Sequence, residues 1–445
     1  MLVKNSDYSG QITDQGKKGE GIVWRDGFPV YIPNGIPGDQ VEFKVLKVDK
    51  RRAFGKLLRV IVPSSDRVEP KCSVALQCGG CQLQHQSQVS QVRFKSNVLV
   101  SRLSRFVDLS NVLVQPMVSA DRQWATRNKM QFAFGMGNDG LKIGLYAPRS
   151  HRVVNMDYCE IMSASMNQVL AAIRAWHAVA QVSVFNELTG EGVLRHVSVR
   201  HSYVTGELMV ILTVGEGFDY SGVVAAIQGV DGVCSMYVSI QSDPSDDRVL
   251  GDHLDLVWGC STIRDVVCGT TCYVSPKTFM QANAMLVNRL YQILMKSLNV
   301  QGALVDLYCG AGVLTCSLAR HYDQVIGVDN NESAIGDAQR NAKENGLNVE
   351  FVCQDAGDFL RAYSDEDMTI IVDPPRQGLA IVPELLQKKP SQIVYVSCYP
   401  DTLGRDLRGF VEGGYRISSI QGVDMFCHTP HIECVVVLEF LGGSE

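Results

Sequence analysis

The sequence predicts an α/β protein, with a doubly wound, mostly parallel sheet in its C-terminal part. A β-prone run, Ala303–Tyr308, leads into a turn with Gly310 and Gly312 and then a helical stretch. Glycines at such a turn let the backbone approach a ligand closely. The next strand ends at Asp329, 23 residues after Asp306, where this fold places the acid that binds ribose hydroxyls. Four strand ends should therefore meet at one edge of the sheet: Asp329, Asp355, Asp373 and Cys398.

The composition is that of an ordinary globular chain. Hydrophobic residues make up 46% and charged residues 20% of 445 positions, a length that suggests about two to four domains. No apolar run approaches membrane-spanning length, and the first residues lack a signal-peptide core. The sequence therefore predicts a cytoplasmic protein without a membrane partner.

The net charge of −6 is unevenly distributed along the chain. Residues 1–60 carry 11 Lys and Arg against 7 Asp and Glu, whereas residues 302–445 carry 10 against 21. A basic front region favours local contact with RNA, because clustered positive charge attracts phosphate groups. Chance scatter of charge is the alternative explanation.

Residues 1–62 predict a small closed β-barrel. Short alternating runs broken by glycine and proline indicate about five strands in an OB-like arrangement. Several lysines and arginines accompany Trp24, Phe43 and Phe54, a combination that suits a surface for a nucleic-acid strand. Solvated charge over an apolar core would give a similar pattern. The region resembles a TRAM domain, an RNA-binding barrel attached to RNA-modifying enzymes.

Three cysteines lie within ten residues, directly after a linker that contains proline and serine. Cys72, Cys78 and Cys81 surround two glycines, and Cys159 lies far downstream. Because disulfides are rare in the cytoplasm, these thiols are candidate metal ligands. Three thiolates in one loop closed by a distant fourth are typical of a 4Fe–4S cluster, whereas structural zinc usually takes two separated pairs. Zinc and unligated thiols remain the alternatives.

The region between the barrel and the sheet predicts an α+β domain with helices and strands in mixed order. Ser275, followed by proline, predicts the start of a long helix that ends near Leu298. Phe279 and Gln281 near its start could offer a stacking surface and an amide to a ligand, although a generic amphipathic helix explains the pattern equally well. The predicted domains are residues 1–62, 63–270 and 271–445.

Cys398 is a candidate nucleophile, since it ends a strand that neighbours the strand ending in Asp373-Pro-Pro-Arg376. A buried structural cysteine is the simpler explanation of a lone thiol. A nucleophile would need a pKa below roughly 8.5 to be substantially ionised at neutral pH. Such a thiol suits methylation of uracil at carbon 5, because its addition to carbon 6 makes carbon 5 nucleophilic.

That reaction also needs a base, which removes the carbon-5 proton so that the thiol can leave. Glu433, just before the last predicted strand, is the candidate. His428 and His431 are competing candidates, or structural histidines.

Taken together, the motifs resemble those of the RNA (uracil-5-)-methyltransferase family, specifically its iron–sulfur branch. The resemblance spans nearly the whole chain. The C-terminal part would then be a Rossmann-like class I S-adenosylmethionine-dependent methyltransferase domain, preceded by the TRAM-like barrel and the α+β domain. The motifs are the cysteine set, Phe279-x-Gln281-x-Asn283, Asp306-Leu-Tyr-Cys-Gly, Asp373-Pro-Pro-Arg, Ser397-Cys-Tyr-Pro and His431-Ile-Glu433.

The resemblance implies a role for each candidate residue. Cys398 would be the nucleophile and Glu433 the base. The four cysteines implied to hold a 4Fe–4S cluster are Cys72, Cys78, Cys81 and Cys159. The residues implied to line the pocket for S-adenosylmethionine and uracil are Gln281, Tyr308, Asp329, Asp355 and Asp373, beside the turn at Gly310.

The combination of barrel and cluster resembles family members that act on 23S ribosomal RNA, the expected substrate and partner. A uridine in the transfer-RNA T-loop is the alternative substrate. A non-catalytic RNA-binding or assembly factor is the alternative of a different class, and the intact pair of Cys398 and Glu433 argues against it. We expect the protein to be a monomer.

Overall fold

The computed structural model of the chain describes residues 2–241, 243, 248–299, 302–364 and 368–442. These residues form sheets of six, seven, two and eight strands, with helices packed mainly on the seven- and eight-stranded sheets. No helix among them combines the length and the apolar character needed to cross a membrane.

The six-stranded sheet lies at the front of the chain, and Ile12, Phe43 and Val45 are part of its small apolar core. The first two strands are separated by only two residues; one pairs with the fifth strand and the other with the third. The strands are β1 (Asp7–Gln11), β2 (Asp14–Gln15), β3 (Gly21–Arg25), β4 (Phe28–Ile32), β5 (Gln40–Val48) and β6 (Ala53–Val62). The two edge strands of this sheet, β1 and β2, are therefore next to each other in the chain, so the sheet curves around the core.

A helix and a strand follow the cysteine loop and pack on the C-terminal part of the chain. They are α1 (Gln88–Leu103) and β7 (Leu113–Val118). The strand β7 pairs in parallel with Tyr415–Val423, about 300 residues later, at the edge of the eight-stranded sheet. Sequence analysis did not identify β7. Its Pro116 lacks the backbone donor that an inner strand requires, which suits the edge position.

The seven-stranded sheet forms the middle of the molecule, in the order β10-β9-β8-β11-β12-β13-β14. Two helices pack against it over an apolar core. A separate hairpin, β15 with β16, links this region to the last sheet. The elements are β8 (Lys129–Gly137), β9 (Gly140–Tyr146), β10 (Val153–Asn155), α2 (Ala164–Ala180), β11 (Leu194–His201), β12 (Leu208–Val214), α3 (Ser221–Gln228), β13 (Val233–Ile240), β14 (His253–Gly259), β15 (Ile263–Val267) and β16 (Thr270–Val274).

The predicted helix from Ser275 is wrong in its first part, because α4 covers only Val287–Ser297. Tertiary contacts hold the preceding residues in another conformation. Ala284 N–H donates to the carbonyl of Thr126 at 3.0 Å, next to a β-bridge between Arg127 and Asn283. The Ser275 hydroxyl donates to the Asp337 carboxylate at 2.7 Å rather than capping a helix.

The eight-stranded sheet confirms the predicted strands of the C-terminal part. Its order is β19-β18-β17-β20-β21-β23-β22-β7, with parallel pairing from β19 to β21 and antiparallel pairing of β21, β23 and β22. The elements are β17 (Ala303–Leu307), α5 (Val313–Leu318), β18 (Val325–Asp329), α6 (Glu332–Glu344), β19 (Glu350–Cys353), α7 (Ala356–Ala362), β20 (Met368–Val372), α8 (Val382–Lys388), β21 (Gln392–Ser397), α9 (Pro400–Glu412), β22 (Tyr415–Val423) and β23 (Glu433–Phe440).

Candidate active site

The turn after β17 has open space at one glycine and close packing at the other. A Cβ added to Gly310 would meet no heavy atom within 4 Å, and its φ is +55°. A Cβ on Gly312 would lie 2.7 Å from Phe351 and 2.8 Å from Ala338. Gly312 thus allows the turn to pack against β19 and α6, while Gly310 leaves its outer side accessible to a ligand.

The acids at the ends of β18 and β19 also organise the local backbone. Asp329 accepts a hydrogen bond from Gly310 N–H at 3.0 Å through Oδ2, and one from Asn331 N–H at 2.9 Å through Oδ1. Asp355 is the N-cap of α7 and accepts from the backbone N–H of Gly357 at 2.9 Å. Each carboxylate is therefore fixed in place at the predicted edge of the sheet.

Two further acids lie deeper in this edge. Burial raises the pKa of Asp306 to about 7 despite a hydrogen bond from the Thr315 hydroxyl at 2.6 Å, and the charges of Asp373 and Asp329 contribute. Burial likewise raises the pKa of Asp373 to about 7. The Gln281 amide donates to Asp373 at 3.1 Å. Since these carboxylates repel one another, the site electrostatically favours a positively charged ligand.

Tyr308 lies between the acids and the core. Its φ of 65° is unusual for a residue with a side chain, and it directs the chain into the glycine turn. Its side chain packs against the core of the sheet, and burial, with the charge of Asp355 next, raises the pKa of its phenol to about 12. The neutral phenol can therefore donate a hydrogen bond at any physiological pH.

The register of β21 with β23 brings the candidate nucleophile and base together. Ser397 is paired with Cys434 in antiparallel register, so Cys398 and Glu433 lie opposite each other at that end of the two strands. Glu433 is 2% exposed. Burial raises the pKa of Glu433 well above its ordinary value, and the charge of Asp373 raises it further.

The surroundings of Cys398 act on its thiol in opposite directions. Burial and the charge of Glu433 raise the pKa of the thiol, and a hydrogen bond from the Arg376 guanidinium lowers it; the net direction is upward. Burial is the largest of these effects, so the ionisation that a nucleophile requires at neutral pH depends on the lowering of this pKa by Arg376. Arg376 is the functional residue that sequence reasoning missed, although the Asp-Pro-Pro-Arg turn already placed it at this edge.

The two histidines near Glu433 have their own surroundings. The ring of His428 stacks on Trp124 with centroids 4.1 Å apart, and burial lowers its pKa to about 4. Burial also lowers the pKa of His431, whose ring meets the Phe426 ring edge-on at 6.0 Å. Both rings are neutral at pH 7, and that of His428 is enclosed by protein groups.

The structure gathers the four predicted cysteine ligands in one place. Burial raises the pKa of Cys159 to about 12, with contributions from the charges of the other three cysteines. A Cβ on Gly79 would lie 2.5 Å from the Tyr146 carbonyl, and one on Gly80 2.5 Å from the Leu145 side chain. These glycines thus let the loop pack directly on β9. Within the described residues, no group of three His, Cys, Asp or Glu side chains is arranged to hold a metal ion.

A cavity of about 1150 Å³ lies between the front sheet and α1. Two residues that line it, Arg102 of α1 and Lys17 of the loop between β2 and β3, contact Asp401 at 2.9 and 3.6 Å. Asp401 lies in the first turn of α9, three residues after Cys398. Basic and aromatic residues that line the cavity include Lys18, Tyr31, Arg52, Phe54, Arg93 and Arg105.

Comparisons with known proteins agree with this geometry. Residues 269–440 match the family model described as "tRNA (Uracil-5-)-methyltransferase". A solved structure, the Pyrococcus abyssi tRNA (uracil-54, C5)-methyltransferase in complex with S-adenosyl-L-homocysteine, superposes with a TM-score of 0.79 at 29% identity. The superposition covers 97% of this chain and 99% of the archaeal one.

Curated relatives match over nearly the full length. An uncharacterized RNA methyltransferase of Halalkalibacterium halodurans is 36% identical, over 98% of this chain and 97% of its own. One from Clostridium acetobutylicum is 34% identical over the same shares of both chains. The chain therefore belongs to the RNA (uracil-5-)-methyltransferase family.

Proposed function

We propose that the protein methylates carbon 5 of a uridine in RNA, with S-adenosylmethionine as methyl donor and Cys398 as covalent catalyst. The observation that carries this proposal is the register of β21 with β23, whose Ser397–Cys434 pair leaves Cys398 and Glu433 opposite each other, with Arg376 on the thiol. A nucleophile and a base held close together are what a two-stage addition and elimination requires.

The chemistry follows from these positions. The Cys398 thiolate adds to carbon 6 of uracil, and the electrons of the carbon 5–carbon 6 double bond move to carbon 5 and the carbon 4 oxygen. Carbon 5 then attacks the methyl group of S-adenosylmethionine, whose methyl carbon–sulfur bond breaks to release S-adenosylhomocysteine. The Glu433 carboxylate removes the proton from carbon 5, the double bond reforms, and the bond between carbon 6 and sulfur breaks. The raised pKa of Glu433 makes its carboxylate a stronger base for this step.

The acids at the sheet edge suit the methyl donor, which carries a positive sulfonium and a positive ammonium group. Gly310 and Asp329 would contact it at the turn, and Asp355 at the end of β19. Gln281, Tyr308 and Asp373 would lie between the donor and the uracil. A cation beside Asp373 offsets one of the charges that raise the pKa of Cys398, so binding of the donor would lower that pKa.

The cysteine set fits a 4Fe–4S cluster held by Cys72, Cys78, Cys81 and Cys159. The charges of neighbouring cysteines of this set help to raise the pKa of Cys81 and of Cys159, and the glycine loop packs tightly against β9. The cluster itself rests on the spacing of three cysteines in one loop with a distant fourth, and on the family resemblance. When bound, it would supply a structural cross-link between the loop and the middle sheet.

The front sheet, as a TRAM-like domain, and α1 would guide the RNA strand. Their cavity carries basic side chains beside Tyr31 and Phe54, which suits phosphates and stacked bases. We take 23S ribosomal RNA as the target, on the resemblance of barrel and cysteine loop. Transfer RNA is the second candidate, because the archaeal neighbour, whose title names a tRNA uracil-54 methyltransferase, spans the same full length.

Methyl transfer from labelled S-adenosylmethionine tests this proposal. The purified protein is incubated with 23S rRNA transcripts and with tRNA transcripts, and labelled nucleosides are identified after digestion. The proposal expects 5-methyluridine in one RNA class, and none with Cys398→Ala. Label elsewhere on the base, or full transfer by Cys398→Ala, would reject the chemistry; label only in tRNA would reject the rRNA target.

A further inference from the structure

His428 has an unusual backbone conformation for a buried residue. Its φ is 62°, in the left-handed region, and it is 1% exposed. Residues with side chains adopt this region at an energetic cost and remain in it only when surrounding contacts hold them there. His428 lies five residues before Glu433, in the loop between β22 and β23.

Three separate segments hold this residue. The backbone N–H groups of Gln82 and Leu83 donate to the His428 carbonyl at 2.8 and 2.9 Å. Gln91 of α1 accepts from His428 N–H at 3.1 Å, and its side-chain amide lies 3.3 Å from His428 Nδ1. The ring of Trp124 covers the imidazole.

All of these contacts come from the N-terminal half of the chain, and two of them are made by the two residues after Cys81, a proposed cluster ligand. Gln82 is the residue after Cys81, so the end of the cysteine loop is hydrogen-bonded to the loop that precedes Glu433. Lys95 of α1 strengthens the attachment. It forms a fully buried ion pair with Asp424 and donates to the Phe426 carbonyl at 2.9 Å.

We propose that His428 is a positioning residue that connects the cysteine loop and α1 to Glu433 and sets the place of the catalytic base. The role of Glu433 as base rests on the proposed function, whereas the connection through His428 rests on the contacts alone. The loop has no regular secondary structure of its own from Asp424 to Ile432. These contacts, with the hydrogen bond from Asp424 N–H to the Val118 carbonyl at 2.8 Å, therefore hold it in position.

Hydrogen exchange tests the connection without any assay of activity. Gln91→Leu removes both contacts of the Gln91 side chain with His428. Gln88→Leu is the matched control, since Gln88 lies on the same helix and its amide donates to the Ala120 carbonyl at 2.7 Å. We expect Gln91→Leu to accelerate amide exchange in residues 424–432 about tenfold, and Gln88→Leu to leave it unchanged. Equal exchange in both variants would overturn the proposal.

The link to the base is tested by the reaction itself, with His428→Asn. Asparagine tolerates the left-handed conformation but lacks the stacked ring. We expect the methylated protein–RNA adduct to accumulate on denaturing gels, because proton removal slows, while the affinity for S-adenosylhomocysteine stays unchanged. Slower turnover without any adduct would overturn the positioning role. If the wild-type protein transfers no methyl group at all, the proposed function fails. The exchange experiment still tests the connection through His428, because it does not depend on activity.

Discussion

Cys398 and the cysteine set (Cys72, Cys78, Cys81 and Cys159) place the same functional group in two different surroundings. The neighbours of Cys398 are a guanidinium and two carboxylates. Those of Cys159 include the other three thiols. Thiolates that share one site repel one another, so a set of four ionises only when a positive metal group joins it. Cys398 has the Arg376 guanidinium beside it, so its thiol can ionise and react without a metal group.

The largest expected effect is that of removing the reactive thiol. Cys398→Ala should lower methyl transfer at least about 10⁴-fold, because carbon 5 is never activated. Binding of S-adenosylhomocysteine, measured by calorimetry, should not change. Under the proposed cluster assignment, Cys81→Ser, the comparison variant, should lose iron and sulfide while Cys398 stays reactive. Methyl transfer at the wild-type rate by Cys398→Ala would show that Cys398 is not the reactive thiol.

Glu433→Gln should separate addition from elimination. The thiol can still add and carbon 5 can still be methylated, but turnover should fall roughly 10²- to 10⁴-fold, since no base removes the proton. A slowly migrating protein–RNA band should appear on a denaturing gel and be absent from the double variant with Cys398→Ala. Normal turnover without such a band would exclude Glu433 as the base.

Arg376→Met should shift the pH dependence of the reaction. Its guanidinium lowers the pKa of Cys398, so the variant's thiol needs a higher pH to ionise. The acid limb of kcat/KM should move upward by about one pH unit or more, with activity recovered in alkaline buffer. Arg376→Lys keeps the charge and should shift the limb less. A uniform loss at every pH would show that Arg376 acts otherwise.

Asp306→Asn should give the smallest effect. The folded-state pKa of Asp306 is raised to about 7, so its cost to stability grows as pH rises from about 4 and is fully present above 7. The variant's free energy of unfolding should therefore exceed that of the wild type by about 1–2 kcal/mol at pH 8 and equal it at pH 4. S-adenosylmethionine should bind more weakly. An equal increase in the free energy of unfolding at both pH values would contradict the raised pKa of Asp306.

Sequence patterns located the sheet and its edge well, because each strand there is a short apolar run closed by a distinctive residue. Asp329, Asp355, Asp373 and Cys398 all follow or end the expected strands. The order of the strands along the chain could not predict that Cys398 lies opposite Glu433, since this depends on the antiparallel register of β21 and β23.

Other features depend on contacts that no local pattern reveals. The segment from Ser275 has a good helix start in sequence, yet a bridge between Arg127 and Asn283 overrides it. The left-handed conformation of His428 follows from residues more than 300 positions away. The part of Arg376 in tuning the thiol likewise becomes apparent only when the neighbouring strand ends are placed together.

The place of β7 in the last sheet has a consequence for biosynthesis. Leu113 pairs with Ser419, so about 300 residues must be translated before the strand meets its partner, which takes roughly 15 to 60 s at ordinary elongation rates. Through that interval an apolar strand stays unpaired, the condition under which strands associate with other chains. The proline within β7 makes such association with other chains less favourable. A C-terminal fragment produced alone would lack both β7 and α1.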